Sequence, residues 1–131
     1  MYKEVASAAA KWWKGQLASN SKSKYNHIIQ EDHPMFILYY LCQEKYSGQV
    51  LNQFYVELKK RIEKELEEKD ELILYSHYYP CPFLESVGNI CGILGLSFPT
   101  FVEMIITRTS VKVKFMDKKH YTILYQKPEE E

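Results

Sequence analysis

The feature that most constrains this chain is a change of apolar period near residue 70. Val50/Leu51, Phe54, Leu58, Ile62 and Leu66 recur every three or four residues, the spacing of one helix face. From Glu71 to Tyr78 the pattern turns strand-like and ends against Pro80 and Pro82. Further on, Val111-Lys112-Val113-Lys114-Phe115 alternates apolar with charged, which points both lysines to a solvated sheet face. Helical segments followed by short alternating strands give the α+β class.

The patterns predict about four helices, at 3–18, 33–44, 48–68 and 82–94, packed on a small antiparallel sheet of three to four strands. The strands are expected at 71–78, 101–106, 111–116 and 120–126, with hairpin turns at 107–110 and 117–120. Asp32 and Ser47 are N-caps for the second and third helices, and Pro82 opens the fourth, which Gly95 is expected to end. Ser19 to Ser23 forms a polar linker after the first helix. The Trp12-Trp13 pair puts one indole on the core face and the other about 100° around the helix. The expected core is Trp12, Phe36, Leu38, Phe54, Leu58, Ile62, Leu84, Val87, Ile90, Ile105, Val113 and Ile123. At 131 residues the chain suits one domain: a helical region over 1–70, a strand–helix–meander region over 71–126 and an acidic tail over 127–131.

Charge narrows the function. The formal net charge is zero, unlike a strongly acidic DNA mimic or a basic general nucleic-acid binder. The zero is a sum of unlike segments: residues 1–27 hold five lysines and one acid, and 101–128 hold six basic residues and two acids. Arg61 and Arg108 are the only arginines, so bidentate recognition of guanine or phosphate has little to draw on. No apolar run approaches a membrane span, no secretory signal opens the sequence, and three cysteines follow no framework spacing. Together these features imply a cytoplasmic protein with reduced thiols and no membrane partner.

No catalytic or metal-binding constellation emerges. His77 and Cys81 form one loose pair, with His33 and Cys91 distant in sequence, whereas a structural zinc site needs four ligands, usually in two close pairs. Cys81 sits at a helix N-terminus, where a thiolate is favoured, with His77 or His120 as conceivable bases, but between two prolines and without an oxyanion signature. Glu85 and Glu103 are lone carboxylates, and no glycine-rich phosphate loop occurs. Residues 84–106 have the outline of a helix-turn-helix, yet Phe101 to Ile106 is too apolar and β-branched for a recognition helix. The expectation is a non-enzymatic protein that uses neither cofactor nor metal.

Ala8-Ala9-Ala10-Lys11-Trp12-Trp13, and Phe98-Pro99 leading into two short strands, resemble features of small phage and mobile-element proteins of low-GC Gram-positive bacteria. The resemblance covers the first helix and 72–126, and implies an accessory protein that binds and inhibits a host defence component.

The richest segment for binding is Tyr75 to Pro82, where three tyrosines, a histidine and a cysteine crowd a strand-to-helix junction. The chain holds eleven tyrosines, a residue favoured in half-buried strands and at interfaces. The expected function is therefore a protein-binding module, with Tyr75, His77, Tyr78 and Tyr79 as its surface and Trp13 contributing; self-association is expected to give a homodimer through this surface or the Phe101–Tyr125 sheet edge. One alternative is a nucleic-acid-binding regulator using Lys112, Lys114, Lys118 and Lys119. Another is a small-ligand site in the junction loop.

Overall fold

A computed structural model describes residues 2–18 and 46–128. Three α-helices and a four-stranded antiparallel sheet make up these residues, in the order α1 (Lys3–Ala18), α2 (Gly48–Glu68), β1 (Glu71–Ser76), α3 (Pro82–Cys91), β2 (Val102–Thr107), β3 (Ser110–Phe115) and β4 (Thr122–Gln126). A 3-10 turn, Gly95–Ser97, follows α3. The α+β class agrees with the sequence. The helix expected at 33–44, with Phe36 and Leu38, lies outside the described residues.

The sheet is a plain meander, ordered β1-β2-β3-β4. Its register places Leu74, Met104 and Val113 in one row across the inner face. The next row on the outer face is Ile73, Ile105, Lys112 and Ile123. α1 packs along α2 and reaches β2, β3 and β4, while α2 touches β1 and α3. Helices therefore cover the inner face, and the core fills the space between with Trp13, Phe54, Leu58, Ile62, Leu66, Leu74, Leu84, Val87, Met104 and Ile106.

Local chemistry fixes the element ends. The Ser47 hydroxyl accepts the Val50 amide at 3.2 Å and starts α2. Its C-terminus is held from the β2–β3 turn: Arg108 Nε donates to the Leu66 carbonyl at 2.8 Å, and its guanidinium pairs with Asp70 at 2.8 Å. A cation on the last carbonyls of a helix also meets the negative end of its dipole. Within that turn Thr107 Oγ1 accepts the amides of Thr109 and Ser110.

Four core expectations are corrected. Trp13, not Trp12, is the fully buried indole, because it continues the Val5–Ala9 row at intervals of four while Trp12 lies partly exposed beside it. α3 stops at Cys91 rather than 94, since Gly92 takes the left-handed conformation (φ 77°) and caps it; Ile90 is left 53% exposed and Ile93 turns inward. Ile105 falls on the outer phase of β2, whose inward residues are Val102, Met104 and Ile106. Ile123 is 62% exposed because an irregularity between Val111 and Lys112 shifts the pairing of β4 and sets Ile123 opposite Lys112. Among the described residues no helix is long and apolar enough to cross a membrane.

Candidate functional site

Strand β1 ends at Ser76 and the chain turns back on itself at once. The His77 amide donates to the Tyr79 carbonyl at 3.1 Å, and the Cys81 amide donates to the Tyr75 carbonyl at 2.9 Å. Ser76 and Pro80 pair as an isolated bridge, after which Pro82 starts α3. The loop is thus cinched by backbone bonds that leave His77 and Tyr79 exposed while Pro80 and Cys81 turn inward.

Phe101 ties this loop to the rest of the sheet. Its amide donates to the His77 carbonyl at 3.3 Å, and its own carbonyl accepts the Met116 amide at 2.8 Å. To make both bonds Phe101 adopts φ 54°, and it is the sole positive-φ residue other than glycine among the described residues. A bulky residue in that region is strained, at roughly 1–2 kcal/mol.

The rings assemble around it. Tyr75 and His77 lie 5.2 Å apart between centroids, His77 stacks on Phe101 at 6.3 Å with planes 23° apart, and Tyr78 meets Phe101 edge-on at 4.9 Å. Tyr75, His77 and Tyr78 are thereby gathered around Phe101, although strand alternation had put Tyr78 on the face opposite Tyr75 and His77. Tyr75 is 38% exposed and His77 is exposed, while Tyr78 is half-buried. Tyr79, 54% exposed, turns aside: a Cβ on Gly95 would stand 3.6 Å from its ring, so Tyr79 lies over the turn after α3. Trp13 is the correction. It is buried among the inner-face residues, packed against Trp12 and Phe98, and contributes nothing to the surface.

The ring cluster opens onto the outer sheet face, where Ile73 and Ile105 lie side by side and Lys112 separates them from Ile123. Beside it the Tyr121 hydroxyl donates to the Glu103 carboxylate at 2.5 Å, and Lys114 sits 5.1 Å from the centre of the Tyr121 ring. The hydrogen bond to Glu103 is the main cause that raises the Tyr121 pKa, with burial and the Glu103 charge acting in the same direction. Ile73 was not singled out from the sequence, and Phe101 was named only as one end of the Phe101–Tyr125 sheet edge. Ile73 shares the phase of Tyr75 and His77 and was open to the alternation argument, whereas Thr100-Phe101 holds no glycine or asparagine to announce a left-handed residue.

The other candidate chemistries disperse. Cys81 is buried, and its side chain makes no capping bond at the start of α3. The Cys91 thiol is also buried; burial first, then the Glu57 carboxylate, raises its pKa against a smaller opposing pull from Arg61. Glu85 is exposed on α3 and Glu103 is engaged by Tyr121. Among the described residues no group of three or more His, Cys, Asp or Glu could hold a metal ion. His33 and Cys42 lie outside the described residues. Of the basic set, Lys112 and Lys114 sit half-buried on β3, and Lys118, Lys119 and His120 are exposed in the β3–β4 connection.

No family model matches the chain, and no curated protein matches it significantly.

Proposed function

We propose that this protein is a non-enzymatic protein-binding module whose contact surface is the outer sheet face centred on Phe101. The observation that carries the reading is the interlocked set of Tyr75, His77, Phe101 and Tyr78, held by a strained backbone position on the sheet face opposite the core. Aromatic rings with few rotors supply large contact area at low entropic cost and dominate interface energetics when grouped. Strain of this kind persists where surrounding bonds enforce it, and it clusters at functional sites. The neighbouring pair Ile73 and Ile105 extends the same face with apolar surface beyond the rings.

A second copy of the chain is one partner for such a face, giving a homodimer. The narrower role, inhibition of a host defence complex, rests on the resemblance of Ala8 to Trp13 and Phe98-Pro99 to mobile-element proteins.

The test is a double Tyr75→Ala, His77→Ala variant, both positions being exposed so that folding is kept. Affinity for the partner, or self-association read by light scattering, should fall about a hundredfold, near 2–3 kcal/mol for two anchor rings. Unchanged association in the folded variant would refute the reading.

A further inference from the structure

A second surface stands apart from the ring cluster, on the helix side of the β4 edge. Two open concavities meet there at Trp12. The larger, about 670 Å³, runs between α1 and β4 and is lined by Lys3, Lys11 and Lys59 against one acid, Glu4. The smaller, about 390 Å³, lies under the β3–β4 connection and is lined there by Lys118, Lys119 and His120 with no acid; Lys114 borders it from β3, its ammonium set over the Tyr121 ring on the outer face.

Trp12 is fixed between them. Its indole rests edge-on against Trp13 at 5.0 Å and tilted against Phe115 at 5.8 Å, and its remaining surface is shared by both concavities. An oriented aromatic platform with lysines on either side is the arrangement that stacks a base and holds the flanking phosphates. A duplex would hide its bases from Trp12, and an acidic peptide would use the lysines but not the platform. Neither arginine nor a side-chain amide lines the channel, so nothing there reads base edges.

We propose that this basic channel binds single-stranded nucleic acid without sequence preference, a base stacking on Trp12 and phosphates meeting the lysines of both banks. Lys112, on the outer face, lies away from it.

The test titrates the full chain with oligothymidylate and oligouridylate of about eight nucleotides, following tryptophan emission. With red-edge excitation that indole absorbs and phenol does not, the emission comes from Trp12 and Trp13, and since Trp13 is buried, quenching reports Trp12. Both oligomers should quench, with log affinity falling against log salt at a slope of about −2 to −4 for three to five neutralised phosphates. Lys118→Ala with Lys119→Ala, exposed and harmless to folding, should reduce that slope by about 1.4, and Lys112→Ala should not change it. Trp12→Phe, which keeps the packing on Phe115, should abolish the quench and weaken binding about tenfold by fluorescence anisotropy of a labelled oligomer. Absence of binding, a flat salt response, equal affinity for duplex or polyglutamate, or quenching that survives Trp12→Phe would each overturn the proposal.

Discussion

The ring of Tyr78 meets that of Phe101 edge-on, with centroids 4.9 Å apart and planes at 74°. The contact exists because Phe101 is held in a left-handed conformation by bonds to His77 and Met116, from two different strand ends. Backbone strain, loop closure and aromatic display thus belong to one arrangement.

Replacing Phe101 separates these contributions. Phe101→Gly relieves the left-handed cost while losing the ring, so folding stability should change by less than about 1 kcal/mol. Phe101→Val loses the ring and keeps the strain in a β-branched residue, and should cost about 2 kcal/mol or more. Urea unfolding of both variants checks the order, and both should lose partner binding.

Arg108 joins the β2–β3 turn to the end of α2 through the Leu66 carbonyl and Asp70. Its side chain is 37% exposed, so solvent screening reduces what the ion pair contributes. Arg108→Ala should destabilise by about 1–2 kcal/mol, most of it from the lost carbonyl bond. Arg108→Lys should recover only a fraction, because an ammonium cannot serve the carbonyl and carboxylate in one planar fork.

The Tyr121–Glu103 bond predicts a pH dependence on the alkaline side. The phenol is raised above its ordinary value by donating to the carboxylate, so its contribution is full below the unfolded tyrosine value and is lost as pH rises through the folded one. The window therefore begins near about pH 10 and extends upward. Glu103→Gln should bring the Tyr121 titration down towards the ordinary value, measured as the ultraviolet tyrosinate difference against Tyr121→Phe.

The two tryptophans should respond unequally. Trp13→Ala empties a fully buried site and should cost about 3–5 kcal/mol, whereas Trp12→Ala, at a partly exposed site, should cost less. Thermal unfolding of the pair distinguishes them.

Much of the fold could be read in advance where a period ran unbroken. Leu51, Phe54, Leu58, Ile62 and Leu66 are one buried stripe in α2, and the Val111–Phe115 alternation placed Lys112 and Lys114 outward. The misses came where two residues competed for one role: Trp12 with Trp13, and Gly92 with Gly95 as the end of α3. Ile123 was misplaced by a pairing irregularity that depends on β3, not on its own strand. In the ring cluster, Tyr75, His77 and Tyr78 were legible as aromatic residues crowding the junction, but the place of Phe101 among them was not, because its conformation is imposed by partners distant in sequence.

The most direct measurement is site-specific photo-crosslinking in cells, with a benzophenone side chain at position 75 on the outer face and, as control, at exposed position 52 on α2. The account predicts a discrete protein adduct from position 75 and none from 52, with an adduct of twice the chain's mass identifying a homodimer. No adduct at 75, or the same adducts from both positions, would contradict it.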